Sequence, residues 1–471
     1  MANLIIINPP GAFKIGSPLI SQLYLASSLI AGGHYVKVFD LGAKYYKFNF
    51  NSLVQDLIKI RPDLIGFTLY TSSVRSTYDL LSKLKAIKGL SGCIFAAGGP
   101  HATSVPEEPI EHGFDVVILR EGEYTIIDLC KHITGILELS EIKGICYKTS
   151  LGEIKQTENR PFINDLNEIP LSVQALDLFN PGWYYTNNTF KAAPVNILSS
   201  RGCPGKCIYC ANLVTGRRFR NRSPDNIIEE MNIYIQKYKA TFFSFLDDSF
   251  TTNTERLQIL CERFIKLHKN KGVKLKWSCS SRVDGLSKDI LNLMRTAGCV
   301  SVNFGIESGS TETIERIGKG IKLDEVVEYL GWCKEIGLRS QVNFMFGFPW
   351  ECVDHLNETL DYMQNIAPLT DAFSARGVLI PYPGTEIYER YKKEFDFDNW
   401  WLSKEIKYPT IPDIPEKRGS WSPDPDLVKK IYLEDPTLDL DFFKYSAEVK
   451  DMIKKCLEFK GRITLRKLRF Y

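Results

Sequence analysis

The chain has 471 residues, of which 44% are hydrophobic and 24% charged, the usual mixture for a globular protein of two or three domains. A formal net charge of +3 excludes a strong electrostatic pull toward nucleic acid or an anionic membrane. No apolar stretch reaches the length of a membrane span, and the opening run Leu4–Asn8 is too short, and too soon followed by a turn, for a signal peptide, so a cytoplasmic protein is expected.

Residues 1–138 alternate strand and helix. Leu4–Asn8 reads as a buried strand, and Leu19, Leu23, Ala26, Leu29 and Ile30 then fall at helical spacing up to Gly32-Gly33. Tyr35–Leu41 is the next strand, followed by a helix marked by Leu53, Leu57, Ile58 and Ile60 that Arg61-Pro62 stops. Leu64–Leu69, Cys93–Ala97 and Val116–Leu119 complete five strands. Such alternation predicts an α/β domain with a doubly wound parallel sheet covered on both faces. Ligands of these sheets sit beyond the carboxyl ends of the strands. The turns there are Pro9–Ser17, Thr68–Ser73, Gly98–Thr103 and Glu121–Thr125, which makes Thr68, Ser72, Ser73, Gly98, Gly99, His101, Glu121, Gly122 and Glu123 candidate ligand-binding residues. Residues 139–190, with Pro161, Pro170 and Pro181 and little periodicity, read as a connector.

A second alternation occupies residues 191–395. Val195–Ser199, Thr241–Leu246, Lys274–Ser280, Ser301–Gly305, Gln341–Phe346 and Ala375–Ile380 are six strands separated by helical patterns. Six units predict a partial (β/α)6 barrel with its chemistry at the carboxyl ends of the strands. Residues 396–471 carry Trp400, Trp401 and Trp421, several prolines and a basic end, and read as a small C-terminal region that caps the barrel.

Of the 12 cysteines, Cys93, Cys130, Cys146, Cys261, Cys279, Cys299, Cys333, Cys352 and Cys456 are scattered and are expected mostly in the core. Cys203, Cys207 and Cys210 are clustered, with three and then two residues between them, directly after the first barrel strand. Short loops of this kind let neighbouring thiolates reach three irons of a cubane [4Fe–4S] cluster, leaving the fourth iron open for chemistry. The competing reading is a zinc site, which would want a fourth Cys or His; none lies between Ser199 and Thr241.

The triplet resembles that of the radical S-adenosylmethionine superfamily, in which the open iron holds S-adenosylmethionine and its reductive cleavage gives a 5′-deoxyadenosyl radical. The resemblance implies an aromatic adenine contact at Tyr209, a contact at Glu307 and Ser308 within Gly305-Ile306-Glu307-Ser308-Gly309, and methionine- or ribose-holding positions at Asp247-Asp248 and Ser281-Arg282. Gly347-Phe348-Pro349 and Pro381-Tyr382-Pro383-Gly384-Thr385 are similar to the family's later turns. Taken singly, a carboxylate at a strand end is often a helix cap, and Gly or Pro there often only a turn.

Asn8-Pro9-Pro10, the Gly98–Thr103 turn and Glu121-Gly122-Glu123 resemble the cobalamin-binding domain of B12-dependent members of that superfamily. The Asp-x-His-x-x-Gly loop that supplies a cobalt ligand in many such domains is absent: the corresponding stretch is Gly11-Ala12-Phe13-Lys14-Ile15-Gly16. Thr71, Ser72 and Ser73 are then candidates for the lower face of the corrin, and His101 is either a turn residue or a ligand. A flavodoxin-like domain binding another nucleotide, or nothing, is the other reading.

The resemblance implies a cobalamin-dependent C-methyltransferase working on an unactivated carbon of a small-molecule or lipid substrate, fed by an external electron donor such as flavodoxin or ferredoxin, with no nucleic-acid partner. An oxidative cyclase or ring rearrangement shares the fold, and a non-catalytic nucleotide- or metal-binding regulator is the alternative of another class. The basic end, with Lys450, Lys454, Lys455, Lys460, Arg462, Arg466, Lys467 and Arg469, is either a solvated helix face or a dock for peripheral membrane contact. Arg217, Arg218, Arg220 and Arg222 either steer an anionic substrate or close the barrel mouth.

Overall fold

The computed structural model describes residues 1–11, 14–272, 274–373, 377–406 and 435–468, which form two compact units. The first comprises Met1–Ala193, Ala211–Lys239 and Asn399–Lys404; the second comprises Pro194–Cys210, Ala240–Asp398 and the described part of Glu405–Tyr471.

In the first unit, the apolar run Leu4–Ile7 is buried on both faces within β1 (Asn3–Asn8), as a strand inside a parallel sheet must be. Helix α1 (Ile20–Ala31) buries Leu23, Ala26 and Leu29 and ends at Gly32-Gly33. After β2 (Tyr35–Asp40), helix α2 (Phe50–Ile60) starts where the Asn49 side chain accepts a hydrogen bond from the Ser52 amide, and it stops at Arg61, which is left-handed and precedes Pro62. Strand β3 (Leu64–Thr68), helix α3 (Val74–Lys85), β4 (Ile94–Gly98), short α4 (Pro100–Ser104) and α5 (Glu107–Glu111), β5 (Val116–Ile118) and α6 (Glu123–Ile133) follow. The five strands pair in parallel in the order β2-β1-β3-β4-β5, a doubly wound arrangement whose switch point lies between β1 and β3.

The sheet is mixed rather than wholly parallel. Strands β6 (Ile145–Lys148) and β7 (Ile154–Gln156) form a hairpin that adds antiparallel to the β5 edge. They lie within residues 139–190, where no alternation announced them: β6 is four residues long and β7 three, too short for a readable period. An edge strand presents unpaired backbone groups, and the hairpin satisfies them. Helix α7 (Pro224–Tyr238), capped by Ser223 and with Pro224 at its first position, also belongs to this unit.

The second unit is an open, six-stranded, all-parallel sheet in sequential order: β8 (Val195–Ile197), β9 (Phe242–Phe245), β10 (Lys276–Ser281), β11 (Cys299–Glu307), β12 (Arg339–Phe344) and β13 (Ala372–Phe373). Helices α8 (Thr254–Lys271), α9 (Lys288–Thr296), α10 (Thr311–Arg316), α11 (Leu323–Glu335) and α12 (Val353–Ile366) lie between consecutive strands. Phe245, Phe250, Phe264 and Trp277 form an aromatic cluster with ring centroids 4.7–5.9 Å apart. The sixth strand is shorter and earlier than expected; pairing resumes at Val378 opposite Phe346, beyond residues 374–376, which are not described. Short α13 (Glu386–Tyr391) and long α14 (Ala447–Leu468) complete the unit. Thr464 of α14 accepts from the Phe373 amide at 2.9 Å and donates to the Phe373 carbonyl at 3.1 Å, so the last helix covers the β13 edge.

The basic residues of the C-terminal region do not form a single solvated face. Trp400 and Trp401 are buried and belong to the first unit. Lys460 is wholly buried, 5.6 Å from the Phe346 ring centroid, and burial pushes its amine down to about 8. Lys450, Lys454 and Arg462 pair with Asp441, Asp451 and Glu458. Ala12, Phe13, Trp421, Arg469 and the side chains of Arg466 and Lys467 lie outside the described residues. Among the described residues no helix is long and apolar enough to cross a membrane.

Candidate active site

The cysteine loop leaves the carboxyl end of β8 and is held from below by the end of β9. Asp247 accepts hydrogen bonds from the Ser199 amide at 2.7 Å, the Ser200 hydroxyl at 2.6 Å and the Ser199 hydroxyl. Burial raises the Asp247 carboxyl, while the Arg256 charge and the serine bonds oppose the rise; Arg256 itself donates to the Ser199 carbonyl at 2.9 Å. Asp248 accepts from the Gly202 amide at 3.0 Å. Farther along, the Ile208 amide donates to the Ile317 carbonyl and the Ile208 carbonyl accepts from the Ile387 amide, which ties the loop to the C-terminal end of α10 and the first turn of α13.

Cys207 is buried, Cys203 half-buried and Cys210 exposed. A Cβ placed on Gly205 would lie 3.4 Å from the Cys203 sulfur, 3.8 Å from the Cys207 sulfur and 3.0 Å from Nη1 of Arg282. Two thiols and a guanidinium thus converge on space that only glycine leaves open. Three thiols within eight residues of one loop, beside a fixed cation, are the donor set an iron–sulfur cluster requires, since each thiolate adds negative charge. Among the described residues no three such ligands stand closed on one point, as they would around an ion; the loop supplies the donors.

Next to the thiols is a charged cradle. Glu307 ends β11 with φ at 78°, a left-handed conformation costly for a residue with a side chain, and the pairing of β11 with β12 shifts register there. The bulge turns the Glu307 carboxylate toward Lys319, whose amine lies 3.0 Å from Oε1 and donates to the Tyr209 hydroxyl at 3.1 Å. Gly305 is required, because a Cβ there would come within 2.5 Å of Glu307 Oε1 and 2.9 Å of Lys319 Nζ. Arg282 Nη2 donates to the Lys319 carbonyl at 2.6 Å while Asp284 holds its Nε at 2.8 Å. Burial, then the Glu307 charge, raises the Tyr209 phenol well above its ordinary value, so it stays protonated. The structure therefore gathers Tyr209, Arg282 and Glu307 around the cysteine loop, as their order in the sequence suggested. It adds Lys319, which sequence reasoning missed; its one signal is a lysine set between Gly318 and Gly320, both at φ 66°. Ser281 and Ser308 brace the turns: Ser281 donates to the Arg282 carbonyl, and Ser308 meets Thr359 at 3.0 Å and accepts from the Ser310 amide.

In the first unit, the turns after β1, β3 and β4 meet at the switch point. Gly99 has φ at 101°, and a Cβ there would stand 3.1 Å from the Leu69 carbonyl oxygen and 3.4 Å from Thr68 Cγ2, so the Gly98-Gly99 turn lies flat on the end of β3. Thr68 and Ser73 are buried, Thr68 accepting from Gln22 at 3.3 Å and Ser73 donating to the Tyr70 carbonyl; Thr71 and Ser72 remain partly accessible. These glycines and small hydroxyl residues fit a large flat ligand laid over the strand ends. His101 is fully buried, with Nδ1 3.1 Å from the Thr71 hydroxyl and Nε2 3.1 Å from Glu108, which also accepts from Tyr78 and Trp401. Both ring nitrogens are engaged within the unit.

Glu121 and the arginines have internal tasks. Glu121 is buried against Arg220, Nη1 lying 2.9 Å from each of its oxygens, and accepts from the Ile163 amide at 2.7 Å. Arg222 pairs with buried Glu230 at 2.5 Å and reaches the Tyr24 hydroxyl. Both guanidiniums are buried and paired within the first unit, so neither is an exposed charge for steering a substrate. Gly122 lets α6 start against Leu25, whose Cδ2 would be 3.1 Å from an added Cβ, and Glu123 is buried in the first turn of α6.

Comparison with known proteins matches both domains. A model of the radical SAM superfamily matches residues 197–363, and a model of the B12-binding domain matches residues 18–129. An uncharacterised methyltransferase of Pyrococcus horikoshii is 32% identical over 79% of this chain and 78% of its own length. The anaerobic magnesium-protoporphyrin IX monomethyl ester cyclase of Rubrivivax gelatinosus is 23% identical over 83% of this chain and 70% of its own. Among solved structures, the cobalamin-dependent S-adenosylmethionine radical enzyme OxsB with aqua-cobalamin bound has the same fold, with a TM-score of 0.69 at 21% identity over 84% of this chain and 56% of that one. The cofactors that go with the two domains are a [4Fe–4S] cluster, S-adenosylmethionine and cobalamin. With its paired domains and a 32% identical relative that matches 79% of its length, the chain belongs to the cobalamin-dependent radical S-adenosylmethionine enzymes.

Proposed function

We propose that this enzyme is a C-methyltransferase acting on an unactivated carbon of a small-molecule or lipid substrate. The observation that carries the reading is the cradle of Tyr209, Arg282, Glu307 and Lys319 beside the Cys203–Cys210 loop, in a chain whose 32% identical relative is named a methyltransferase. When bound, the cluster and S-adenosylmethionine supply a 5′-deoxyadenosyl radical, and cobalamin carries the methyl group. The chain's own residues bind and orient. Cys203, Cys207 and Cys210 hold three irons. Glu307 and Lys319 offer one acceptor and one donor at a fixed spacing of 3.0 Å, suited to the ammonium and carboxylate of the methionine moiety. Tyr209, neutral and edge-on to Phe348 at 6.1 Å, presents a ring face to the adenine. Arg282 lends positive charge to the thiolates. In the first unit, Gly98, Gly99, Thr71 and Ser72 would line a corrin site, and His101, held by Glu108, sets the orientation of the Thr71 hydroxyl.

The cyclase of Rubrivivax gelatinosus favours a second reading, radical oxidation or ring closure without methyl transfer. The experiment that separates the two uses methyl-labelled S-adenosylmethionine and reconstituted, cobalamin-loaded protein under a reductant such as flavodoxin or ferredoxin. A methyltransferase moves label into the bound cobalamin and releases S-adenosylhomocysteine as well as 5′-deoxyadenosine. Deoxyadenosine with no label in cobalamin would support the cyclase, and neither product would defeat both.

A further inference from the structure

Cys352 is one of the scattered cysteines expected in the core, yet it is exposed, and it is the N-cap of α12. Its sulfur accepts from the backbone amide of His355 and lies 3.1 Å from His355 Nδ1. His355 Nε2 lies 3.0 Å from Oε2 of Glu312 on α10, and Arg316 donates to Oε1 of the same carboxylate at 3.1 Å. A nucleophile, an imidazole and an orienting carboxylate are thus in line, on a surface apart from the Cys203–Cys210 loop.

Two proton arrangements fit these distances. The Cys352 amide also lies 3.2 Å from His355 Nδ1, and one nitrogen cannot accept from that amide while donating to sulfur. With a neutral imidazole, Nδ1 accepts and the sulfur keeps its proton. With an imidazolium, Nδ1–H donates to a thiolate and Nε2–H to Glu312. The charges around the pair favour the second. The backbone amide of His355 lowers the thiol most, as helix N-termini do, with the imidazole adding to it. Burial works against the imidazolium, but the Glu312 bond and the Cys352 charge outweigh it and raise His355. The other charged groups nearby are Arg316 on α10, Asp354 in the first turn of α12, and Glu351.

We propose that Cys352, His355 and Glu312 form a thiol–disulfide exchange site for small exposed disulfides. The Cys352 thiolate attacks one sulfur, the S–S bond breaks, and a Cys352 mixed disulfide forms. The other half leaves as a thiolate and takes its proton from water; Cys352 is oxidised as the departing sulfur is reduced. The adduct unseats the α12 cap one residue beyond Glu351, whose carboxylate holds the amides of Gly347 and Phe348, and Phe348 packs on Tyr209. The site is independent of which reaction the enzyme performs.

The test treats anaerobic holoenzyme with the aryl disulfide 5,5′-dithiobis(2-nitrobenzoate) and maps the first label by peptide mass. Cys352 reacts first, and its rate falls less steeply from pH 8.5 to 6.5 than that of an ordinary thiol of pKa about 8.5, which slows roughly fiftyfold. His355→Gln, which keeps a capping-box side chain at the helix start, restores the steep dependence. Cys352→Ser keeps the cap and removes the first label. First modification at another cysteine, or the same pH dependence in the parent and in His355→Gln, overturns the proposal.

Discussion

At Glu351 a carboxyl has been taken wholly out of water: Oε2 accepts from the Gly347 amide at 2.7 Å and the Phe348 amide at 3.1 Å, and Oε1 is buried with no hydrogen-bond partner among the described residues. Burial pushes its pKa up to about 7, against the pull of the two amides. The linkage follows from that direction. Below about pH 4.5 the group is neutral in both states and costs nothing. From there to about 7 the unfolded chain ionises while the folded one keeps its proton, so stability falls as pH rises, and the full penalty remains above 7. Glu351→Gln keeps an acceptor for both amides and removes the penalty. The variant should gain on the parent by as much as about 3 kcal/mol between pH 5 and pH 8, read from urea unfolding at the two pH values; an equal difference at both would refute the assignment. Residue by residue, legibility was uneven. Tyr209, Arg282 and Glu307 were expected from the family resemblance, Tyr209 inside the triplet and the other two at the carboxyl ends of later strands. Lys319 was not, because only the β11 bulge and the loop after α10 bring it back to Glu307.

Among the elements, the turn after β5 is decided by a buried ion pair. Glu121 and Arg220 are 99 residues apart, with side chains only 4% and 3% exposed. From sequence, Glu121-Gly122-Glu123 looked like a ligand turn, since a carboxylate beyond a strand and a carboxylate awaiting a distant arginine read alike. Removing one charge leaves the other buried and uncompensated. Glu121→Gln should lower the stability of the first unit by about 3–5 kcal/mol, whereas Glu121→Leu with Arg220→Met should recover most of the loss. Denaturant midpoints of the parent and the two variants check this, and a double variant no more stable than Glu121→Gln would contradict it. The β6–β7 hairpin makes the same point for strands. Its existence depends on a free β5 edge, which no local pattern reports.

For the molecule as a whole, each candidate cofactor site lies in one unit: the cysteine triplet and its cradle in the second, the switch-point turns in the first. Changing Cys203, Cys207 and Cys210 together to alanine should therefore abolish iron and sulfide content and deoxyadenosine formation, yet leave cobalamin binding intact. Metal analysis and the absorption spectrum after desalting measure both. Loss of cobalamin together with iron would show that the first unit does not hold its ligand by its own turns.

Strand–helix alternation, read from the period of apolar residues, was enough to establish two parallel α/β domains, because burial on both faces forces continuous apolar strands whatever the rest of the chain does. The cysteine spacing was likewise local, and it carried the cluster chemistry with it. Contacts between distant residues were settled only by folding. Asp247 turned out to brace the loop through Ser199 and Ser200, Glu121 to neutralise Arg220, and His101 to lie buried between Thr71 and Glu108. Lys460 moved from a presumed basic face into the interior, and Cys352 from a presumed core position to the surface beside His355. A side chain's type limits which partners it can accept, but which partner it meets depends on how chain segments far apart in sequence pack together.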